Sequence, residues 1–245
     1  MDTRSNCPHN HRVSCLDCSL KNVCLPLTLE TGDIEKLDNI IARGKPLHKG
    51  DHIYRQHDVF SSIFAVRSGS VKSYSIDQDG EELVTGFYFP GEVLGMDGIG
   101  QNQHASSAVA METSSVCQIP FNYLGELSQT IPSLQQNCFQ IMSQEIVKDR
   151  HLMALLGKSH ADQRVATFLL TISTRKTRNR LSGTVFRLPM SRGDMGNYLG
   201  LTVETISRVF SRLQKQQVLL VNNKVITILD IDGLRVASGA KVEVA

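Results

Sequence analysis

The chain has 245 residues, of which 41% are hydrophobic and 20% charged, a composition typical of a globular protein with one or two domains. No run of about 18 apolar residues occurs, and the opening segment MDTRSNCPHNH has no apolar stretch, which argues against a membrane span and a secretory signal. We therefore expect a cytoplasmic protein with reduced thiols and no membrane partner. The net charge of +2 is too small to indicate a polyanion partner for the whole chain.

Four of the six cysteines lie in the first segment, residues 1–28, which we define as the cysteine-rich arm. The pattern Cys15-x2-Cys18-x5-Cys24 places three thiols close together, and three ligands leave one position open in a tetrahedral or cubane metal site. Spacing alone leaves zinc and an iron–sulfur cluster equally open. The candidates for the fourth ligand are Cys7, Cys117, Cys138, His9 and His11.

A short helix and a β-domain follow the arm, over residues 29–131. Thr31 is the predicted N-cap of the helix, which has an apolar stripe formed by Ile34, Leu37, Ile40 and Ile41. Residues 46–123 are short alternating segments separated by glycines, the pattern of a β-roll or jelly roll. The sequence DQDG at residues 77–80 predicts a hairpin turn.

Residues 132–158 predict one long helix, because neither glycine nor proline interrupts residues 133–156. A heptad spacing of 3, 4, 3, 4 and 3 indicates a two-stranded dimer interface, although packing on the helix's own domain remains the alternative. The residues of this seam are Phe139, Met142, Ile146, Asp149, Met153 and Leu156.

Asp149 is the one charged residue in the predicted seam. Across a twofold axis it would face its own copy, and at about 5 Å with an effective dielectric near 20 the repulsion is roughly 3 kcal/mol. We therefore predict that Ile146 and Asp149 form a dimer switch, with a cluster-bound arm letting Ile146 cover the seam. The alternative is an Asp149 side chain that points to solvent.

The last third, residues 159–232, has the helix and strand pattern of a winged helix-turn-helix, with residues 233–245 as a tail that frays. We predict that Ser191 caps the first helix of the pair, with Asp194 in a capping box, and that Gly200 forms the turn. Thr202 caps the second helix. Its core positions are Val203, Ile206, Phe210 and Leu213, and the wing is two strands joined by Asn222 and Asn223.

The second helix carries a polar face, with Glu204, Ser207, Arg208 and Ser211 at a spacing of 3, 4 and 3. These side-chain types bond base edges in the major groove, and the helix N-terminus at Thr202 suits a phosphate. Residues 164–224 also hold eleven Lys or Arg against two acidic residues. The sequence therefore predicts DNA as the partner of this domain, against the alternative of a solvated helix face.

The segment MSRGDMGNYLGLTVETISRVFSR resembles the DNA-binding helix pair of the CRP/FNR superfamily, and GNYLGLTVETISR is FNR-like. The resemblance extends over essentially the whole chain and implies an α+β fold with an N-terminal β-roll, a dimerisation helix and a C-terminal winged helix-turn-helix. It implies a homodimeric transcription regulator that reads palindromic DNA with TTGAT half-sites. Glu204, Ser207 and Arg208 would be its base-reading residues.

The same resemblance selects the cofactor. It implies that Cys15, Cys18, Cys24 and a distant cysteine, Cys117 in the segment VCQIPF, hold an oxygen-labile [4Fe–4S] cluster that promotes dimerisation and DNA binding without oxygen. Cys7 is then a spare thiol and Cys138 a small buried hydrophobe. We further hypothesise that Val23 screens the cluster and that Ser19 tunes its oxidation.

The loop from residue 77 to 82 resembles a surface that touches RNA polymerase in this family, which gives Asp79, Gly80 and Glu81 as polymerase contacts. The loop around Ser182 and Gly183 resembles another contact surface. Without the resemblance, both segments are simply exposed turns.

The sequence leaves three alternative functions. The first is a small-molecule-gated member of the same superfamily, because FPGEVLG at residues 89–95 resembles the start of the phosphate cassette of cyclic-AMP receptors. That cassette needs an Arg-Ser pair about ten residues further on, and this chain has no arginine between Arg67 and Arg150, so a cyclic nucleotide is disfavoured and Glu92 is then a turn residue. An enzyme is disfavoured, because the eight histidines are scattered. A zinc-bound redox repressor would be colourless, whereas an iron–sulfur protein is brown.

Overall fold

The computed structural model describes residues 13–25 and 28–240. Cys7, His9 and His11 lie outside the described residues. Within these ranges, no helix combines the length and the apolar character needed to cross a membrane.

The described part of the arm, residues 13–25, is a series of turns that ends with the buried side chain of Leu25. Helix α1 follows at Thr31–Ile40. Glu30 occupies the cap position, so the predicted cap at Thr31 is wrong by one residue. Ile34 and Leu37 are buried, which confirms the predicted apolar stripe.

Eight strands form the predicted β-roll as two antiparallel four-stranded sheets, with orders β1-β8-β3-β6 and β2-β7-β4-β5. The strands are β1 Ala42–Arg43, β2 His52–Tyr54, β3 Ser62–Ser68, β4 Val71–Ile76, β5 Glu82–Tyr88, β6 Val93–Leu94, β7 Ser107–Ala110 and β8 Ser115–Pro120. Tyr54, Phe64, Val71 and Leu94 pack in one buried cluster of the roll. The predicted hairpin turn joins β4 to β5, where Gly80 has a φ of 83° and the Asp77 carboxylate accepts the backbone N–H groups of Asp79 and Glu81.

Helix α2, Phe121–Thr130, leads into the long helix α3, Pro132–Lys158, which confirms the predicted element. Proline in the first turn costs no helical hydrogen bond, because the first N–H groups have no intrahelical acceptor. The start of α3 is anchored, with Leu134 and Asn137 buried. Further along, Phe139, Ile146 and Met153 are 61%, 53% and 64% exposed in the single chain, so the seam is uncovered.

Residues 159–240 form four helices and one three-stranded sheet of order β10-β11-β9. These are α4 Ala161–Arg178, β9 Val185–Arg187, α5 Arg192–Leu199, α6 Val203–Lys215, β10 Leu219–Asn222, β11 Val225–Ile228 and α7 Ile231–Ala237. Asn222 pairs with Val225, so the wing turn is Asn223-Lys224, one residue later than predicted. Asn223 has a φ of 56°, a left-handed conformation that asparagine tolerates.

Helix α7 contradicts the predicted boundary at residue 232 and the expectation of a fraying tail. Leu234 is fully buried in the core of the last domain. The Asp230 side chain caps the helix by accepting the N–H groups of Asp232 and Gly233. A short apolar stripe on seven residues is too weak a pattern to detect in sequence, whereas its packing is clear in the structure.

The two domains share a hydrophobic core. Val84, Phe87 and Phe89 of the roll belong to the same buried cluster as the helices of the last domain. The Phe87 ring lies 5.9 Å from Phe168 of α4 and 5.2 Å from Tyr198 of α5, both with edge-on geometry. The last domain is therefore fixed against the face of the roll that carries β5.

Candidate functional site

Four thiols line one cavity between the arm and the roll. Cys15, Cys18 and Cys24 come from the arm, and Cys117 comes from β8. Cys138 of α3 does not line this cavity but packs against the apolar cluster around Leu37 and Leu134. The structure therefore brings together the four cysteines that were predicted as one ligand set.

The cavity is an apolar environment that disfavours charged thiolates. Leu20, Leu25, Ile41, Ala65 and Ile119 complete much of its lining. Burial raises the pKa of Cys15 to about 12, with a smaller contribution from its hydrogen bond to Asp38, and burial raises the pKa of Cys24 to about 12. Burial also raises the pKa of Cys117. These three thiols are therefore protonated near neutral pH until a metal displaces the protons.

The four thiols differ from the donors of a single-ion site and suit a larger centre. Among residues 13–25 and 28–240, no three His, Cys, Asp or Glu side chains converge closely enough to hold a single metal ion. The four thiols that surround the shared cavity are soft sulfur donors, which suit thiolate-bound centres such as iron–sulfur clusters. The chemistry of the residues present therefore fits such a group.

The residue predicted to screen the cavity lies elsewhere. A Cβ atom at Gly91 would lie 2.6 Å from Val23 Cγ2, so the Val23 side chain packs on the turn at Gly91 and does not line the thiol cavity. Ser19 is exposed on the surface of the arm. The apolar cover assigned to Val23 is instead supplied by Leu20 and Leu25, a distinction that sequence position alone does not reveal.

The helix pair α5–α6 has the predicted local geometry. Asp194 N–H donates to Ser191 Oγ at 2.9 Å, and Ser191 N–H donates to the Asp194 carboxylate at 2.9 Å, which confirms the capping box. Gly200 ends α5 with a φ of 61°, a conformation that favours glycine. Thr202 caps α6 by accepting the N–H of Thr205 at 3.2 Å.

The core face of α6 differs from the prediction at one position. Ile206, Phe210 and Leu213 are buried as expected, but Val203 is 45% exposed and Val209 is buried instead. Val203 is the first residue of the helix, where the chain has only just left the turn. It therefore lies beyond the packing contact with α5.

The opposite face of α6 presents the predicted polar side chains. Glu204, Arg208 and Ser211 are exposed, and Ser207 is half-buried with its hydroxyl donating to the Val203 carbonyl at 2.8 Å. The backbone N–H of Glu204 and the Thr202 hydroxyl lower the pKa of the Glu204 carboxyl, so it remains ionised. The face thus offers a carboxylate acceptor beside a guanidinium donor, the pair needed to read base edges.

A second cavity lies between α3 and the roll, at the level of the predicted dimer switch. Ile146 and Asp149 line it together with Glu145 and Asp97. Within the part of the chain that the structure describes, no Lys or Arg lines this cavity. Its charge is therefore unfavourable for an anionic ligand.

Glu92 ends the turn at residues 89–92, as predicted, and it is also a buried interdomain residue, a role that the sequence did not predict. It is 5% exposed, and its carboxylate accepts from Arg178 at 3.1 Å and lies 3.5 Å from Arg175, both on α4. Phe89 N–H also donates to it at 3.0 Å. Nothing in the local sequence indicates the two arginines, because they lie more than 80 residues away.

Asn197 is a further residue that sequence reasoning missed. Its side chain accepts the N–H of Val84 at 2.6 Å and donates to the Glu82 carbonyl at 2.6 Å, so α5 continues the hydrogen bonding of β5. Lys72 of β4 adds an ion pair to Asp194 at 2.8 Å. These bonds join the helix pair α5–α6 to the base of the β4–β5 hairpin.

The tip of that hairpin holds the predicted polymerase contacts. Asp79, Gly80 and Glu81 are exposed, and so are the neighbouring apolar side chains of Ile76 and Leu83, at 46% and 56%. At the other predicted surface, Gly183 packs closely against Thr177 and Ser173 of α4. Residues 77–82 of the roll and Ser182 of the last domain are exposed.

Two domain families match the sequence. The cyclic nucleotide-binding domain family matches residues 45–130, and the Crp-like helix-turn-helix domain family matches residues 163–237. A β-roll of this kind joined by a long helix to a winged helix-turn-helix defines a DNA-binding transcription regulator of the CRP/FNR superfamily.

Related proteins narrow the assignment within that superfamily. The transcriptional activator protein FnrA of Stutzerimonas stutzeri is 48% identical over 232 residues, 95% of each chain. The fumarate and nitrate reduction regulatory protein of Salmonella typhimurium is 45% identical over 95% of this chain and 93% of its own. The structure of FixK2 from Bradyrhizobium japonicum has a TM-score of 0.74 at 28% identity, covering 82% of this chain and all of that one. The chain belongs to the FNR family.

Proposed function

We propose that the protein is an oxygen-responsive transcription regulator of anaerobic metabolism. In this proposal Cys15, Cys18, Cys24 and Cys117 hold a [4Fe–4S] cluster in the absence of oxygen. The cluster-bound form is a homodimer that binds palindromic DNA with TTGAT half-sites, and it activates or represses transcription without catalysing a reaction. The observation that carries the proposal is the single cavity lined by three thiols of the arm and one of the roll.

The choice of an iron–sulfur cluster over zinc rests on what the sensor must do. Zinc has no redox chemistry of its own, whereas an oxygen-labile cluster supplies a direct reaction with the signal. Relatives such as the anaerobic regulatory protein of Haemophilus influenzae are named for an anaerobic response, which supports an oxygen-reactive group at these thiols. A colourless zinc protein with a thiol switch is the alternative outcome.

The arm contacts the dimerisation helix directly, which supports a route from cysteine ligation to subunit pairing. The buried side chain of Asn137, at the start of α3, donates to the Leu25 carbonyl at 3.0 Å and accepts from the Thr28 hydroxyl at 3.0 Å. Leu25 directly follows Cys24. Ligation of Cys24 would therefore hold the arm against α3 two residues before Phe139, where the exposed seam begins.

Pairing of two subunits through α3 accounts for the exposed apolar seam. A dimer would cover Phe139, Met142 and Ile146, and it would bring two copies of Asp149 together. Cluster binding must offset that repulsion, so that loss of the cluster returns the chain to a monomer. In a dimer the two α6 helices would then reach successive major grooves.

The proposal also includes RNA polymerase as a partner. RNA polymerase would contact the exposed hairpin tip at Asp79, Gly80 and Glu81. A cyclic nucleotide is not part of the proposal, because the cavity between α3 and the roll presents Asp97, Glu145 and Asp149 to any phosphate.

Purification without oxygen tests the proposal. We expect a brown protein with iron and sulfide in equal amounts, a dimer by sedimentation, and binding to a palindromic TTGAT site that is lost as the colour bleaches in air. Cys117→Ala should abolish the colour and the dimer, whereas the matched Cys138→Ala variant should keep both. Colourless protein without iron, or a Cys117→Ala variant with a full cluster, would overturn the proposal.

A further inference from the structure

Arg43 stands beside two of the four thiols. It lies on β1, where it pairs directly with Cys117 of β8, and paired residues on neighbouring strands project from the same face of a sheet. Its Nη2 atom donates to Cys15 Sγ at 3.7 Å. A single guanidinium thus links a thiol of the arm to the strand position that carries the thiol of the roll.

The guanidinium of Arg43 carries a hydrogen-bond donor that has no acceptor beside the thiols in the described part of the chain. Within residues 13–25 and 28–240, its Nε atom is buried and has no hydrogen-bond partner. A buried N–H group without an acceptor costs free energy, so such groups generally face a partner that completes them. A sulfur-rich group held by Cys15 and Cys117 would supply acceptors next to this donor.

The positive charge of Arg43 lies next to the thiol cavity. Four thiolates around an iron–sulfur group leave a net negative charge in a cavity whose lining is largely apolar. Arg67 and Lys21 line the cavity, and Arg43, although it does not line it, donates to the sulfur atom of Cys15. The Arg43 side chain is only 16% exposed, so water screens this charge weakly.

We infer that Arg43 is a positioning residue that stabilises the negative charge of the cluster site and thereby slows the attack of oxygen on the bound cluster. This inference rests on the proposed iron–sulfur function. Removing a neighbouring positive charge makes loss of an electron from a negatively charged group easier, so the group reacts faster with an oxidant such as oxygen. Arg43 would therefore help set the oxygen level at which the regulator responds.

A purely structural role must be distinguished from this electrostatic role. Arg43 forms an ion pair with Asp38, and the same carboxylate accepts the N–H of Cys15 at 2.7 Å. The ion pair therefore also holds the arm against the roll. If Arg43 only holds the arm in place, removing either partner of the Arg43–Asp38 ion pair should change the bleaching rate in the same direction. If charge is what matters, the two sides have opposite effects, because Asp38→Asn removes a negative charge but keeps an oxygen that accepts from Cys15.

The experiment compares variants that all retain the four cysteines. Wild type, Arg43→Gln, Arg43→Lys, Asp38→Asn and the matched surface control Lys45→Gln are prepared without oxygen, and the iron and sulfide content of each is measured. Equal concentrations are then exposed to air, and the decay of visible absorbance is followed. A midpoint potential for each protein provides a second readout that does not depend on DNA binding.

We expect Arg43→Gln to bleach about tenfold faster than wild type, with a lower midpoint potential. Arg43→Lys should lie between the two because it keeps the charge and loses the donor geometry, Asp38→Asn should bleach more slowly, and Lys45→Gln should match wild type. Arg43→Gln protein that holds no iron while Arg43→Lys protein holds a full cluster would also support the charge role.

Two results would overturn the inference. One is an Arg43→Gln protein with a full cluster that bleaches at the wild-type rate, and the other is faster bleaching of Asp38→Asn and Arg43→Gln alike. Failure of the underlying function gives a different result, because wild-type protein would then contain no iron and sulfide at all.

Discussion

Glu92 of the roll and Arg178 of α4 form an ion pair of 3.1 Å across the boundary between the two domains. The turn that carries Glu92 also contacts the arm, because Gly91 lies against Val23. The Pro90 carbonyl of the same turn accepts a hydrogen bond from the Asn179 side chain at 2.7 Å. The cysteine-rich arm and the DNA-binding domain therefore meet at one four-residue turn, residues 89–92.

Removing the cations of this contact should destabilise the protein. The double variant Arg175→Ala/Arg178→Ala leaves the Glu92 carboxylate buried without its two ion-pair partners, and we expect a loss of about 1–3 kcal/mol in the free energy of unfolding. The lower part of the range reflects the partial exposure of Arg178. Urea denaturation measures the change, and Arg180→Ala, on the surface just after α4, is the matched control.

Neutralising the buried Glu92 carboxylate tests the same prediction in a second way. Adding Glu92→Gln to the double variant should restore part of the lost stability, because the neutral amide no longer needs a cation. Strictly additive effects of the three substitutions would contradict the ion-pair account.

Arg208→Ala should reduce the protein's ability to discriminate between DNA sequences. We expect a loss of about 1–3 kcal/mol in binding free energy for the preferred half-site, and little change for a site altered at the base pair that Arg208 reads. Arg235→Ala on α7, which removes an equal charge from a surface ion pair, should leave the preference unchanged. Binding titrations with both sites at one salt concentration provide the measurement, and equal losses on both sites would mean that Arg208 contacts only phosphate.

Asp149→Ala should strengthen dimerisation of the cluster-free protein. Removing the repulsion between the two Asp149 carboxylates should stabilise the dimer by about 3 kcal/mol, which corresponds to roughly 100-fold tighter association in air. DNA binding should then no longer need anaerobic conditions. Sedimentation velocity in air measures the association, and Glu126→Ala on α2 removes the same charge away from the seam. An Asp149→Ala protein that stays as monomeric as Glu126→Ala would contradict the repulsion account.

The buried thiols predict a pH dependence for the metal-free, reduced protein. Burial raises the pKa of Cys15 and Cys24 from 9.0 to about 12, so between these values the folded state binds more protons than the unfolded state. Their contribution to stability is therefore complete below about pH 9 and is lost as the pH rises toward 12.

Urea denaturation at about pH 8 and about pH 10 measures this dependence. The free energy of unfolding should fall between the two conditions, and it should fall less in the Cys15→Ala/Cys24→Ala variant. An equal fall in both proteins would show that these thiols are accessible to water in the folded state.

Elements built from neighbouring residues were predictable from the sequence. The capping box of Ser191 and Asp194, the left-handed turn at Gly200 and the uninterrupted helix α3 depend on contacts within a few residues, so spacing and residue type are sufficient to identify them. The errors at the cap of α1 and at the wing turn are of one residue, because the exact start of an element depends on packing against its neighbours.

The sequence by itself determined that the chain carries a thiol-rich arm, a β-roll, a long helix with an apolar seam and a helix pair with a DNA-reading face. Only the tertiary structure decided which side chains surround the thiols, that Leu20 rather than Val23 covers them, and that Arg43 lies beside Cys15 and Cys117. It also decided that Glu92 and Asn197 join the domains. The physical reason is that these relationships depend on strand register and domain packing between residues far apart in sequence, which local periodicity does not encode.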